Sequence, residues 1–320
     1  MKVTAACPHR LLTPPVVQAM SRSQERAWQM DVPQVQTKRQ IAALLEQAGI
    51  RPQRRFGQHF LVDGNLMRRL VDCAELQPGD VVLEVGPGTG GLTELLLPRV
   101  GRVVAVEIAP ALRALLAERL GPAGNLTLIG GDVLASKHRL CPEVVQALAE
   151  QAPAGGGSRK LVANLPYQVA TPVVMNLLID HPQVQQLCFT VQAELGERML
   201  ADPGGKTYGP LSIIVQSLCQ VETVARVPAS AFWPRPKVES LMLRLDVKEC
   251  PFAERAEVAA FAALVRATFD HRRKRLRSAL EYAVGPATVA RLADRIDLSR
   301  RPESLSVEEW HGLFRLTQAP

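Results

Sequence analysis

The stretch VVLEVGPGTGGL, running from Val81 to Leu92, decides how the rest of the chain is read. Its first half is aliphatic and β-branched, which suits a strand covered on both faces. Its second half supplies glycines at 86, 88, 90 and 91. Glycine tolerates backbone conformations closed to other residues and lets a ligand lie against the chain. A strand that ends on such a turn and leads into a helix is the opening unit of a nucleotide-type binding fold.

Outward from that unit the pattern repeats. RVVAVE (102–107), LTLIGGD (126–132), KLVAN (160–164) and QLCFTVQ (186–192) read as strands. Helical segments separate them at 91–100, 109–120, 142–151 and 171–180. Strictly alternating units of this kind predict an α/β fold with a parallel sheet covered on both faces. Two further β segments are expected near 219–228 and 240–246. From about 250 onward the signals are helical only, so a small all-α domain closes the chain. Upstream, Lys38 to Ala48 has helical spacing with Ile41, Leu44, Leu45 and Ala48 on one face. Asp63 is placed to cap a second helix that buries Leu66, Leu70 and Val71.

The 320 residues carry a net charge of +7, which favours a polyanionic partner. No apolar run reaches the roughly 18–20 residues of a membrane helix, so no membrane partner is expected. The six cysteines, at 7, 73, 141, 188, 219 and 250, lack metal or disulfide spacing and read as small buried residues of a reducing cytoplasm. Residues 1–36 read as a disordered extension. They could also lie upstream of a true start at Met20 or Met30, or form an organellar transit peptide.

Two cofactors fit the glycine loop. Read at 86, 88 and 91 it is G-x-G-x-x-G, and Glu107 follows 21 positions after Gly86, as in dinucleotide sites. A nicotinamide dehydrogenase is therefore a rival. The next strands weigh against it. Asp132 ends the third strand with an acid able to accept from an adenine amino group, and Asn164-Leu165-Pro166-Tyr167 ends the fourth. Ligands of open α/β sheets lie across these strand ends. Gly86, Glu107, Asp132 and Asn164 are thus expected to converge on one cofactor crevice, and the terminal helices offer no hydride-handling acid or base.

The order GQHFL, VLEVGPGTG, VVAVE, GGDVL, NLPY and FWPRPKVES resembles the ribosomal RNA adenine dimethyltransferases, most of all their bacterial small-subunit type. The likeness spans roughly 37–320. It implies a class I S-adenosylmethionine-dependent methyltransferase fold, Rossmann-like and mostly parallel. A catalytic domain would cover 37–247 and a helical RNA-binding domain 248–320. It implies S-adenosylmethionine as cofactor, with His59 and Leu61 of the GQHFL flap touching it. His59 stands where many relatives carry Asn, and Gln168-Val169-Ala170 where Asn, Ile and Ser or Thr are common.

The same resemblance gives NLPY its chemistry. The N6 lone pair of adenine is delocalised, so the amine is a poor nucleophile. The Asn164 side-chain oxygen and a backbone carbonyl at Leu165 or Pro166 can hold both N6 hydrogens and favour a pyramidal nitrogen. Tyr167 can stack on the base, and Phe232 is expected to close its other face. Flipping a base out costs a few kcal/mol. Stacking on an aromatic returns roughly 1–3 kcal/mol. Alignment and a stabilising field suffice for the transfer, so no metal is expected.

Two basic stretches are candidates for phosphate contact: Arg51, Arg54 and Arg55, and the run from His271 to Arg277. The bland reading of such a run is a solvated helix face. The resemblance implies dimethylation of two adjacent adenosines near the 3′ end of small-subunit rRNA, in an immature subunit, by a cytoplasmic monomer. The alternatives are a large-subunit rRNA methylase of the macrolide-resistance type and a non-catalytic RNA-binding assembly factor.

Overall fold

The computed structural model describes residues 35–50, 58–150 and 153–318. Residues 1–34 of the expected extension, and Arg51, Arg54 and Arg55, lie outside the described residues.

A seven-stranded sheet carries the site. Its strands are β1 (Val81–Val85), β2 (Arg102–Glu107), β3 (Leu126–Gly130), β4 (Arg159–Asn164), β5 (Val184–Gln192), β6 (Cys219–Val227) and β7 (Ser240–Val247). In space they lie in the order β3-β2-β1-β4-β5-β7-β6. The first five pair in parallel, whereas β7 runs antiparallel to both β5 and β6. The mostly parallel sheet expected from the sequence is thus observed, with β7 as its one antiparallel strand. The β6–β7 link holds no α-helix to serve as a crossover, so the chain returns antiparallel. Chain order reverses between β1 and β4, and at such a switch point an open sheet leaves a crevice.

Side chains alternate across the sheet and build two cores. Leu83, Val104, Leu161 and Phe189 belong to the first, Val82, Val103, Val162 and Cys188 to the second. The second core is closed by two helices, α1 (Gly64–Asp72) and α2 (Gly91–Leu96). Asp63 caps α1 by accepting from the Asn65 and Leu66 N–H groups. Met67, rather than Leu66, is the first residue that α1 fully buries.

The first core is covered by α3 (Pro142–Glu150), α4 (Ala170–Asp180) and α5 (Pro210–Leu218). It continues without a break into the terminal helices, where Phe261, Trp310 and Phe314 are buried in it. A third, small core joins Ile41 and Leu45 of the helix Lys38–Gln47 to Leu112 and Leu115 of the helix Pro110–Leu120. That contact hangs the N-terminal helix over the strand ends. Among the described residues no helix is long and apolar enough to cross a membrane.

Candidate active site

The glycine loop is shaped by close approaches. Gly86 has φ +72°, and a Cβ there would lie 2.9 Å from Pro166 Cγ. Gly88 has φ +60°, and its Cβ would lie 2.8 Å from the Phe60 ring. Only glycine fits a left-handed turn pressed between NLPY on one side and the flap on the other. Glu107, 3 % exposed, anchors the turn. Its carboxylate accepts from the Gly88 N–H at 3.1 Å and the Ala109 N–H at 2.9 Å. Burial raises its pKa, and those backbone donors oppose the rise. A carboxylate offers about four lone-pair sites, so Glu107 can still accept from ligand hydroxyls.

Glu84 lies beneath the same loop. Burial pushes its carboxyl up to about 8, against a hydrogen bond from the Thr93 hydroxyl at 2.7 Å. The floor of the site therefore carries a largely neutral acid near pH 7.

Sequence reasoning missed Gln36, which it placed in the disordered extension. Gln36 is buried, donates to the Thr89 carbonyl at 3.2 Å and accepts from the Thr89 hydroxyl at 2.7 Å. Two bonds to one residue of the glycine loop hold it in place, so the ordered chain begins before Thr37. Arg119 also donates to the Thr89 carbonyl.

At the tip of β4 the Asn164 carboxamide is held at both ends. Its Nδ2 donates to the His59 carbonyl at 2.9 Å, and its Oδ1 accepts from the Thr190 hydroxyl at 2.5 Å. Leu165 is buried, and the Pro166 carbonyl accepts the Val169 N–H at 3.1 Å. The half-buried Tyr167 pairs its hydroxyl with Ser240 at 2.9 Å, and burial raises its pKa. The His59 ring lies 5.7 Å from the Tyr167 ring and hydrogen-bonds the Pro234 carbonyl through Nδ1 at 2.6 Å. Because a carbonyl only accepts, that nitrogen carries the proton.

One cleft of about 890 Å³ brings His59, Leu61, Gly86, Glu107, Asn164 and Tyr167 together. Glu84, Ile108 and Gln36 also line it. Asp132 does not. It borders an adjoining crevice that shares Gly86, Ile108 and Pro166 with the first. Its carboxylate accepts the Leu134 N–H at 3.0 Å, a local turn that holds it at the mouth of the second crevice. The two crevices meet at the glycine loop, so Asp132 lies beside the cleft that holds Gly86, Glu107 and Asn164. Ile108, 42 % exposed, lies at the junction. A large aliphatic residue directly after a strand-end acid is the signal that could have found it.

Phe232 corrects a second expectation. It is 3 % exposed and packed in the second core, and it does not border the cleft. The short strands Phe60–Leu61 and Phe232–Trp233 pair antiparallel, with Leu61 opposite Phe232 and Phe60 opposite Trp233. Alternation along a strand sends neighbours to opposite faces. Phe232 thereby joins Leu61 in the core, and Trp233 stacks on Phe60.

The terminal basic run divides by role. Arg272 is committed to structure: its guanidinium donates to Glu303 at 2.7 Å and to the Lys206 carbonyl at 2.8 Å. Arg273, Arg275 and Arg277 are exposed, and none forms an ion pair among the described residues. Lys274 lies over the Tyr282 ring, 4.4 Å from its centroid, and Tyr282 is 63 % exposed.

An open backbone along Gly86–Gly88, a buried carboxylate at the end of β2 and an exposed aliphatic face at Ile108 suit a nucleoside-bearing ligand. Comparison with known proteins agrees. A family model described as ribosomal RNA adenine dimethylase matches residues 50–319. The ribosomal RNA small subunit methyltransferase A of Moorella thermoacetica is 39 % identical over 288 residues, 89 % of this chain and 99 % of that one. In structure, a dimethyladenosine transferase from Plasmodium falciparum aligns with TM-score 0.62 and 24 % identity over 79 % of this chain and 94 % of its own. The 23S rRNA methyltransferase ErmE aligns with TM-score 0.59 and 23 % identity over 81 % and 100 %. The last two share the fold. The model match and the long 39 % identity settle the membership: the chain belongs to the ribosomal RNA adenine dimethylase family.

Proposed function

We propose that this protein dimethylates N6 of two adjacent adenosines near the 3′ end of small-subunit rRNA, within an immature subunit in the cytoplasm, using S-adenosylmethionine. One observation carries the reading: the Asn164 carboxamide, locked by His59 and Thr190, stands in the same cleft as the glycine loop and Glu107. A relative named for the small subunit, 39 % identical along nearly its whole length, supports that subunit over the large one.

Gly86, Gly88, Glu107 and Ile108 would hold the cofactor, with Asp132 at the adjoining crevice. When bound, S-adenosylmethionine supplies a methyl group on an electrophilic sulfonium. The chain's own part is to orient the amine. Asn164 Oδ1 keeps a lone pair free after accepting from Thr190, and it takes one N6 hydrogen. The Pro166 carbonyl is engaged by Val169, so the Leu165 carbonyl is the less committed second acceptor. Pro166 stiffens the backbone that aims it. Tyr167, fixed by Ser240, offers a ring for the flipped base. Arg273, Arg275 and Arg277 of the terminal domain would contact phosphates, which position the RNA without reading its sequence.

Labelled methyl transfer to unmethylated small subunits tests the reading. Label should appear in the small-subunit RNA and stop primer extension at two adjacent adenosines. Protein that binds the particle and transfers nothing would instead be a non-catalytic assembly factor. Label confined to large-subunit RNA would make it the other kind of methylase.

A further inference from the structure

The Asn164 hydrogen bonds raise a question that the cleft alone does not answer. A carboxamide can sit either way round, and only one way presents an acceptor to an amine. The His59 carbonyl sets the sense, because it can only accept and therefore requires the Nδ2 end. One anchor leaves the amide free to swing, since the terminal torsion of Asn is broad. Thr190 supplies the second anchor. It faces Asn164 across the parallel β4–β5 pair, is fully buried, and donates its hydroxyl to Oδ1 at 2.5 Å. With Nδ2 committed to His59, the Thr190 hydroxyl can only be the donor in this bond. Its β-branched side chain is stiff at χ1, so the anchor itself does not wander.

We propose that Thr190 is a positioning residue for methyl transfer: its hydroxyl fixes the Asn164 carboxamide so that Oδ1 offers one aimed lone pair to the substrate amine. The inference rests on the proposed role of Asn164. It also accounts for a polar side chain near the end of a buried strand, where an isolated hydroxyl would cost free energy. The Asn164 Nδ2–H bond to His59 enriches Oδ1, and the Thr190 bond removes its second lone pair from competition.

The test uses the full chain, unmethylated small subunits and single-turnover transfer at saturating S-adenosylmethionine. Thr190→Val keeps shape and removes the donor. Its rate constant should fall about 10- to 100-fold, the cost of a misaligned reacting group. Cofactor affinity should stay within about twofold, because transfer and not binding depends on the alignment. Thr190→Ser, which keeps the donor, should recover most of the rate. Thr190→Ala serves as a second donor-free variant should the Val form not fold. A Thr190→Val protein as fast as wild type overturns the proposal, as does a loss of rate matched by an equal loss of cofactor affinity. If Asn164→Ala itself turns over normally, the role of Asn164 fails; if only Thr190→Val is silent, the anchor alone fails.

Discussion

Glu84 gives the sharpest handle on the physics under the glycine loop. Its carboxyl is fully buried and titrates at about 8, against 4.5 for the same group in the open. A folded-state pKa raised above the unfolded one means that the folded protein holds the extra proton between those two values. Stability then declines as pH rises through that window, by about 1.4 kcal/mol per pH unit for this one group. Over the full window the loss is roughly 5 kcal/mol. Glu84→Gln keeps an acceptor for the Thr93 hydroxyl and removes the ionisation. The variant should match wild type near pH 5 and exceed it increasingly up to pH 9. For a protein of this size the advantage at pH 9 corresponds to roughly 10 °C in Tm. Paired thermal melts from pH 5 to 9 measure the difference, and titrating groups other than Glu107, whose charge acts on Glu84, cancel between the two proteins. Parallel curves would mean that Glu84 is ionised throughout, and the account of a neutral floor would be wrong.

Three further outcomes follow from the geometry. Asn164→Ala should leave S-adenosylhomocysteine affinity within a few-fold while abolishing turnover, whereas Glu107→Ala should weaken that affinity first; calorimetry and methyl transfer separate the two. Replacing Arg273 and Arg275 with Ala should flatten the salt dependence of log K for RNA by roughly 0.7–0.9 for each phosphate no longer neutralised. Arg272→Ala should leave that slope alone and lower the melting temperature, because its guanidinium holds Glu303 and the Lys206 carbonyl. Lys160→Met should cost about 3 kcal/mol in urea unfolding, since the buried Asp80 carboxylate, which its ammonium contacts at 2.9 Å, keeps only neutral donors from Gln77 and Ser158. Adding Asp80→Asn should return part of that loss.

The sheet was legible because its parallel strands are largely aliphatic runs that end on glycine, an acid or an amide. VVLEV, VVAV and LVA admit few other readings, and the parallel order followed from the alternation with helices. The orientation of β7 was not legible, since nothing in SLMLRLDV says which neighbour it will enter between. The helix Ala193–Met199 is short and interrupted by Gly196, and α5 is buried on nearly every side, so neither shows a one-sided stripe. Among site residues, Glu107 and Asn164 could be placed from their positions at strand ends. Phe232 could not, because Phe232 and Trp233 are both aromatic and one step of strand register decides which faces the core. The hydroxyls of Thr190 and Ser240 were invisible for a related reason. Each meets its partner across a sheet, 26 and 73 positions away.

The pairing of Phe60–Leu61 with Phe232–Trp233 also has a bearing on biosynthesis. The flap that carries the His59 carbonyl is tied to a segment made some 170 residues later, and β6 has no sheet neighbour until β7 is laid down between it and β5. A chain still emerging from a translating ribosome, or one cut short before that segment, lacks the tether that sets its own amide clamp. The flap thus gains its pairing partner only once the chain has been made through Trp233, and products cut short before that point lack it.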